Sequence, residues 1–272
     1  MAEKLGIIAG GGSLPKQLIQ CCRSEGRPFA LVCLDGFAAP ETAEEAECLK
    51  IRLGEAGKAV SYFKDNGVKE IVMIGFVKRP SLFQLRPDWW TAKFLAKIGF
   101  KAFGDDNLLT AVIKHIESEG FKIVGIHEVM GNILATEGVF GKIRPDAQAA
   151  DDINHGVKIA LGLGALDVGQ SVVVQQGIVL GVEAVEGTDA LIKRCKDLAR
   201  PGLGGVLVKT KKPQQEQRAD LPTIGVQTVV NAYESGLRGI AVQAGKTLIV
   251  DRAAVTAKAD ELGLFITGVK IP

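Results

Sequence analysis

A polar stretch in the second half of the chain, VKTKKPQQEQRADLPTIG (residues 208–225), concentrates side chains that could act on a phosphate. Cations neutralise phosphoryl oxygens, and a carboxylate among them can coordinate Mg²⁺ or orient a water molecule. The stretch joins a predicted strand to a predicted helix and is long for such a connection, which favours a functional loop. A solvated charged loop is the alternative interpretation. The candidate residues are Lys209, Lys211, Lys212, Gln215, Arg218, Asp220 and Thr223.

A second candidate is the segment GVEAVEGTDALI (residues 181–192), which places carboxylates and a hydroxyl between a predicted strand and a predicted helix. Its polar members are Glu183, Glu186, Thr188 and Asp189. Oxygen-rich clusters at such junctions suit a magnesium ion or a sugar. Capping of the helix by Thr188 or Asp189 is an equally simple explanation.

The third candidate is the glycine-rich turn in LGIIAGGGSLP (residues 5–15), where Gly10, Gly11, Gly12 and Ser13 precede a predicted helix. Glycines let an anion approach backbone N–H groups, and a helix N-terminus adds partial positive charge. The spacing is neither the dinucleotide fingerprint nor a Walker loop with its lysine. The alternative is a tight turn that merely needs glycine. Hydride transfer is poorly supported, because only Asp35 could hold an NAD ribose.

Composition excludes several classes of protein. A formal net charge of +2 and 6% aromatic residues argue against a nucleic-acid binder. Five cysteines without CxxC spacing favour neither disulfides nor zinc, and reduced thiols favour the cytoplasm. No signal peptide and no apolar run of the ~20 residues that span a bilayer are evident. The histidines show no zinc spacing, and no GxSxG motif occurs, so non-covalent hydrolysis is the simpler chemistry.

The elements that must position these residues divide into two groups. In the first half, short β-branched runs alternate with helical patterns, which predicts a Rossmann-like parallel sheet, with a late strand running through GIHEV. A loop-rich stretch at residues 130–148 marks the boundary between an N-terminal domain (1–132) and a C-terminal domain (133–272). The second half predicts a distinct α/β domain with a mixed sheet. Hairpins are expected around Gln176-Gly177 and in LRGIAVQAGKTLIVD (residues 237–251).

Several motifs, taken together and in order, resemble one known family. They are GIIAGGGSLP, GDDNLL, HEVMGNIL, DVGQSVVVQQGIVLGVEAVEGTDALI, KPQQEQRADLPTIG and GLRGIAVQAGKTLIVDR. The chain is similar to the LpxI-type UDP-2,3-diacylglucosamine pyrophosphatases of Gram-negative bacteria. The resemblance covers essentially the whole chain, and the combination is far more specific than the glycine turn alone. The RPDWW region and residues 41–47 match least.

The resemblance implies an enzyme of lipid A biosynthesis. Such an enzyme would hydrolyse UDP-2,3-diacylglucosamine to UMP and 2,3-diacylglucosamine 1-phosphate (lipid X), assisted by Mg²⁺ or Mn²⁺. It implies a substrate held between two domains, a homodimer, and a cytoplasmic location. The lipid substrate further implies peripheral contact with the inner membrane, where Trp89-Trp90 could line an acyl groove or face the lipid.

The resemblance marks the aspartate of the DLPTIG motif, Asp220, as essential, and the chemistry of the loop selects the same residue. We therefore assign Asp220, Lys209 and Arg218 as catalytic, with Asp220 as the metal ligand. The alternatives are another sugar-nucleotide enzyme, such as a transferase, and a non-catalytic nucleotide- or lipid-binding protein. The predicted substrate-binding residues are Gly10, Gly11, Gly12, Ser13, Thr188, Asp189, Lys211, Lys212, Gln215 and Thr223.

Overall fold

The computed structural model describes residues 3–78, 85–98 and 105–271, and for residues 105–107 it describes the backbone alone. The chain divides into two compact units. The first comprises Met1–Gly131 together with Glu216–Ala219, and the second comprises Asn132–Gln215 together with Asp220–Pro272. Gly104, the first residue of the GDDNLL motif, lies outside the described residues.

The first unit is built on a five-stranded parallel sheet with the strand order β3-β2-β1-β4-β5. Most of its strands are short apolar runs with few exposed positions, which is the pattern of a parallel sheet covered by helices. The sequence predicted this Rossmann-like sheet, and the prediction is confirmed. The strands are β1 (Leu5–Ala9), β2 (Phe29–Leu34), β3 (Cys48–Ile51), β4 (Glu70–Ile74) and β5 (Lys122–Ile123).

Local chemistry explains where the helices of the first unit begin and end. Pro15 lies in the first turn of α1, where its missing N–H costs nothing. Gly26 and Gly67 follow α1 and α3 with φ angles of 66° and 65°, and each ends its helix because other residues rarely adopt this conformation. The helices are α1 (Leu14–Ser24), α2 (Pro40–Glu45), α3 (Ala56–Asp65), α4 (Trp89–Ile98), α5 (Asp105–Ser118) and α6 (Ile126–Met130).

The second unit contains a six-stranded mixed sheet, ordered β6-β13-β11-β9-β7-β8, and a separate two-stranded sheet, β10-β12. Strands β9, β11 and β13 are parallel neighbours, whereas β6, β7 and β8 pair antiparallel. The predicted mixed sheet in a C-terminal α/β region is confirmed. The strands are β6 (Gly138–Phe140), β7 (Ser171–Gln175), β8 (Ile178–Val182), β9 (Val206–Lys209), β10 (Thr223–Ile224), β11 (Gly239–Gln243), β12 (Leu248–Ile249) and β13 (Phe265–Val269).

Two apolar cores cover the large sheet of the second unit. Val206 and Val208 pack with Ala149 and Ile153 of α7. Alternate residues such as Leu207 pack with the side chains of α8, α9 and α10. Side chains along β9 therefore point alternately to the two faces. None of the described helices is both long enough and apolar enough to cross a membrane. The helices are α7 (Ala147–Ala165), α8 (Thr188–Cys195), α9 (Val226–Glu234) and α10 (Arg252–Leu262).

The hairpin predicted in residues 237–251 is wrong. Strand β12 pairs in parallel with β10, while β11 lies between β9 and β13 in the other sheet. The turn at Gly245, with a φ angle of 70°, has the local character of a hairpin turn. Strand pairing here is decided by segments distant in sequence, which a local pattern does not report.

The strand predicted to run through GIHEV (residues 125–129) forms only before that motif, and its extension into GIHEV is wrong. Strand β5 ends at Ile123, and helix α6 begins at Ile126. The carboxylate of Glu128 accepts a hydrogen bond from the backbone N–H of Gly125 at 2.7 Å, which caps the first turn of α6. This capping interaction favours a helical turn over a continued strand.

Candidate functional site

One edge of the large sheet in the second unit collects polar residues from four strands. The pairings bring the carboxyl ends of β8, β9 and β11 to the same edge as the amino end of β7. Glu183 directly follows β8, Lys209 ends β9, Gln243 ends β11 and Ser171 begins β7. Ligands of open α/β sheets bind at the carboxyl ends of the strands. This edge is therefore the candidate site.

Lys209 is the central cation of this edge, and its side chain is almost completely buried, with 6% exposure. Its Nζ donates a hydrogen bond to Thr188 Oγ1 at 2.8 Å. The hydroxyl of Thr188 in turn donates to Glu183 Oε1 at 2.8 Å and lies 3.3 Å from Ser171 Oγ. Glu183 is itself buried and accepts a second bond from the backbone N–H of Gln170. The lysine and glutamate are thus linked through one threonine hydroxyl.

The electrostatic environment of Lys209 combines burial with surrounding negative charge. Burial lowers the pKa of the Lys209 ammonium group, because a charged group is disfavoured away from water. The carboxylates of Glu183, Asp189 and Asp220 act in the opposite direction and raise this pKa. A cation shielded from water interacts more strongly with an anionic ligand than a surface lysine does.

Asp189, in the first turn of α8, is held in place by helix α9. Its Oδ1 accepts a hydrogen bond from Asn231 Nδ2 at 2.9 Å, and Asn231 Oδ1 accepts one from Gln227 at 3.0 Å. Asn231 is 3% exposed, so the amide is fixed by its surroundings. The result is an oriented carboxylate at the start of a helix, where the helix dipole stabilises negative charge.

Asp220 is oriented by a buried amide of its own loop. Gln215, which is 3% exposed, donates from Nε2 to Asp220 Oδ2 at 2.8 Å and accepts the backbone N–H of Lys212 at 3.2 Å. Among the residues that the structure describes, none donates a hydrogen bond to the other oxygen of Asp220. Thr223 closes the same loop by donating to the carbonyl of Leu221 at 3.0 Å. The loop therefore has an internal structure that presents one carboxylate.

The other predicted cations of the loop are engaged by protein groups. The buried Lys211 donates from Nζ to the carbonyl of Lys212 at 3.0 Å, and its backbone N–H donates to Gln243 at 2.9 Å. Lys212 forms an ion pair of 2.7 Å with Asp167. Their assignment as substrate-binding residues stays a prediction.

Arg218 belongs to the segment that groups with the first unit. It forms ion pairs with Glu216 at 2.9 Å and Glu117 at 2.6 Å. The hydrogen bond to Glu216 is the largest of the effects that raise the pKa of the Arg218 guanidinium above its usual value. Two carboxylates thus neutralise this guanidinium, and its assignment as a catalytic residue stays a prediction.

The glycine turn of the first unit differs from the expected anion cradle. The N–H of Gly10 donates to the carbonyl of Ile74 at 2.7 Å, and the N–H of Gly11 donates to the carbonyl of Phe76 at 2.9 Å. These two amides are already satisfied by backbone partners in β4 and just beyond it, so the expectation that they are open to a phosphate is wrong. Ser13 occupies the N-cap of α1 without a capping side-chain bond. The assignment of Gly10, Gly11, Gly12 and Ser13 as substrate-binding residues stays a prediction.

Replacing Gly10 by alanine should destabilise the first unit, because the new Cβ would lie 2.7 Å from the backbone oxygen of Phe76. We expect a loss of about 1–3 kcal/mol in the free energy of unfolding, which is typical of overpacking. Urea titration followed by circular dichroism would measure it. The matched control is Gly162→Ala in α7, where a Cβ meets nothing within 4 Å and should be neutral or stabilising. Equal urea midpoints for Gly10→Ala and the wild type would contradict this reading.

The sequence did not single out Asn231 or Gln243, and Glu183 had no assigned role. Asn231 lies 42 residues from its partner Asp189, and Gln243 lies 32 residues from Lys211. A polar residue in an otherwise apolar stretch was the available signal for each. Across the described parts of the chain, no group of three His, Cys, Asp or Glu side chains is arranged to hold a metal ion.

The fold and the site together define a two-unit α/β protein with a buried lysine among carboxylates at a sheet edge. Two family models match, the LpxI N-terminal domain over residues 4–133 and the LpxI C-terminal domain over residues 136–267. The chain belongs to the LpxI family.

A curated relative supports this membership. The chain is 44% identical over 274 aligned residues to the UDP-2,3-diacylglucosamine pyrophosphatase LpxI of Caulobacter vibrioides, covering 98% of each chain. Among solved structures, the biotin carboxylase subunit of pyruvate carboxylase matches with a TM-score of 0.27 and 14% identity. That match covers 64% of this chain and 35% of the other, and it is too weak to support a conclusion about fold or function.

Proposed function

We propose that this protein is a UDP-2,3-diacylglucosamine pyrophosphatase of lipid A biosynthesis. It hydrolyses the pyrophosphate bond of its substrate and releases UMP and 2,3-diacylglucosamine 1-phosphate. The observation that carries the proposal is the full-length similarity to a relative with this named activity, at 44% identity over 98% of both chains. Membership of the LpxI family over both units agrees with it.

The residues of the second unit suit hydrolysis at phosphorus. This reaction depends on positioning and charge neutralisation more than on covalent chemistry. In this reaction Lys209 would carry the positive charge that neutralises phosphoryl oxygens, and Asp220 would orient a water molecule. Burial lowers the pKa of Lys209, and the carboxylates of Glu183, Asp189 and Asp220 favour its protonated form. Thr188 holds the ammonium group of Lys209 through a hydrogen bond, and the charge of Asp189 acts on the same lysine.

We further propose a divalent cation, Mg²⁺ or Mn²⁺, held by Asp220 together with phosphate oxygens of the substrate. Mg²⁺ is commonly bound by one or two carboxylates plus substrate phosphates rather than by a cage of protein ligands. One carboxylate oriented by a protein hydrogen bond, that of Asp220, fits that arrangement. When bound, the cation would polarise a phosphoryl oxygen.

Removal of divalent cations should therefore reduce activity. We expect protein treated with a chelator and then dialysed to lose turnover, and to regain it saturably when Mg²⁺ or Mn²⁺ is added. Thermal melting of the chelated protein should stay unchanged, because Lys209 and the carboxylates are held by protein hydrogen bonds. Full turnover after chelation would remove the cation from the proposal and leave the reaction itself standing.

The decisive experiment identifies the products. Purified protein is incubated with UDP-2,3-diacylglucosamine and Mg²⁺ in ¹⁸O-labelled water, and the products are analysed by mass spectrometry. Release of UMP and 2,3-diacylglucosamine 1-phosphate, one of them carrying the label, supports the proposal and identifies the attacked phosphorus. Release of UDP would indicate a transferase or another cleavage, and intact substrate would indicate a binding protein.

We also infer a homodimer, on the resemblance of the sequence to its family. Size-exclusion chromatography with light scattering should then give twice the 28.8 kDa mass of the chain. A mass of one chain across the working concentration range would contradict this part of the proposal.

A further inference from the structure

Helix α4 of the first unit carries an exposed face with an unusual composition. Trp89 is 85% exposed, which is rare for the largest apolar side chain. Lys93 and Lys97 follow at helical spacing of four residues and are also exposed, so the three side chains lie along one face. Arg86, exposed and just before the helix, adds a further positive charge near its start.

Trp89 is not needed to anchor helix α4, because other residues of the helix pack against the first unit. Trp90 and Phe94 stack on the ring of His115, with ring centres 4.4 Å and 5.0 Å from it. Trp90 also donates from Nε1 to Glu119 at 3.0 Å. The two tryptophans therefore have separate roles. Trp90 anchors helix α4, and Trp89 is exposed to solvent on the anchored helix.

The positive charges of this face have no ion-pair partner among the side chains that the structure describes. Within the described ranges, Arg86, Lys93 and Lys97 form no ion pair. The carboxylate of Asp88, at the start of this helix, accepts hydrogen bonds from the backbone N–H groups of Gly57 and Thr91.

The other described groups near this face are Lys64 of α3, His115 of α5 and Glu119, which directly follows α5. Glu119 accepts both Lys64, at 2.6 Å, and Trp90. His115, beneath the face, has its pKa lowered by burial and by the charges of Lys97 and Lys93, against the opposing effect of Glu119. His115 therefore adds no full positive charge at neutral pH. The positive charge of this face comes from Arg86, Lys93 and Lys97.

We propose that this face, formed by Arg86, Trp89, Lys93 and Lys97, binds the surface of an anionic lipid bilayer. Tryptophan partitions to the level of the lipid headgroups, where its ring is buried and its N–H stays hydrated. Lysine and arginine near the surface are attracted by the negative potential of anionic lipids. An exposed tryptophan, flanked by cations that have no acidic partner among the described side chains, matches that combination. The proposal goes beyond the reaction proposed above, and it is tested without substrate.

The chain offers a direct probe, because Trp89 and Trp90 are its two tryptophans. The variant Trp90→Phe retains the aromatic stack and leaves Trp89 as the single emitter. With vesicles of phosphatidylglycerol and phosphatidylcholine, we expect a blue shift of its emission and protection from acrylamide quenching. Vesicles of pure phosphatidylcholine should give a much weaker response. High salt should reverse the binding, because screening acts over a Debye length.

Co-sedimentation with the same vesicles provides the quantitative test, and it uses the wild-type chain, which keeps Trp90, and variants of it. We expect Lys93→Glu/Lys97→Glu to lower the partition coefficient at least about 30-fold, since each lysine near an anionic surface contributes a factor of about five. Trp89→Ser should lower it about tenfold through lost apolar burial. The matched control, Lys193→Glu/Lys196→Glu, changes two exposed lysines of the second unit and should bind like the wild type.

Two results would overturn the proposal. One is equal binding of the wild type and the Lys93→Glu/Lys97→Glu variant to anionic vesicles, with both proteins folded by circular dichroism. The other is a Trp89→Ser variant that changes from dimer to monomer in light scattering while no protein sediments with vesicles, which would make this face a contact between two copies of the chain. Both readings are independent of catalytic activity.

Discussion

Replacing Asp220 by asparagine is expected to lower turnover of UDP-2,3-diacylglucosamine by about 10²- to 10³-fold, the usual cost of removing one group that stabilises a transition state. Asparagine has the shape of aspartate, and its carbonyl oxygen can still accept the hydrogen bond that Gln215 donates to Oδ2. The substitution therefore removes the charge and leaves the loop in place. Initial rates of UMP release, measured at saturating Mg²⁺, are the readout.

The control for this variant is Asp197→Asn, which removes an exposed carboxylate in the 3-10 turn Lys196–Leu198 of the same unit. We expect its turnover to match the wild type, and both variants should melt at wild-type temperature. An Asp220→Asn protein with wild-type turnover would remove Asp220 from the reaction, although membership of the family would be unaffected.

Replacing Lys209 by methionine should reduce both activity and stability. The loss of the buried ammonium removes the desolvated cation of the site, so we expect a decrease in turnover of about 10²-fold or more. The same change leaves Glu183, which is 6% exposed, without its linked positive charge. Breaking a buried charge pair on one side costs about 3 kcal/mol in the free energy of unfolding. Turnover and urea midpoints are measured on the same preparation.

A double variant separates the two effects of Lys209. In Lys209→Met/Glu183→Gln both charges are absent, so the stability should return towards that of the wild type while the activity stays low. The control Lys193→Met removes an exposed lysine and should change neither quantity. If the double variant recovered turnover together with stability, Lys209 would be a structural residue and its assignment to the reaction would be refuted.

The parallel sheet of the first unit was predictable because its signal is local. Runs such as LGIIA and FALVC carry the apolar, β-branched pattern of buried strands, and Gly26 and Gly67 mark the ends of the helices between them. The hairpin expected near Gly245 failed for the opposite reason. Its turn is local, but the partners of β11 and β12 lie in other parts of the chain.

The candidate site was predictable in its residue types and less so in its arrangement. Asp220 and Lys209 stand out as charges in a long connection, and the sequence supports both. Burial of Lys209 could not be read from VLVKT, because a lysine at the end of a strand is usually solvated. The supports of Asp189 and Lys211 depend on contacts across tens of residues, which only the folded chain brings together.

The hydroxyl of Thr188 has a consequence for the charge balance of the site. It stands between Lys209 Nζ and Glu183 Oε1, accepting from one and donating to the other at 2.8 Å each. In this arrangement the hydroxyl proton of Thr188 is given to the glutamate, and the assignment of Thr188 as a substrate-binding residue stays a prediction. The hydroxyl acts as a neutral spacer that keeps the ammonium group from closing directly onto the carboxylate. The separation of Lys209 Nζ from Glu183 thus depends on an uncharged residue. A substitution at position 188 would change how these two charges interact without changing the formal charge of the site.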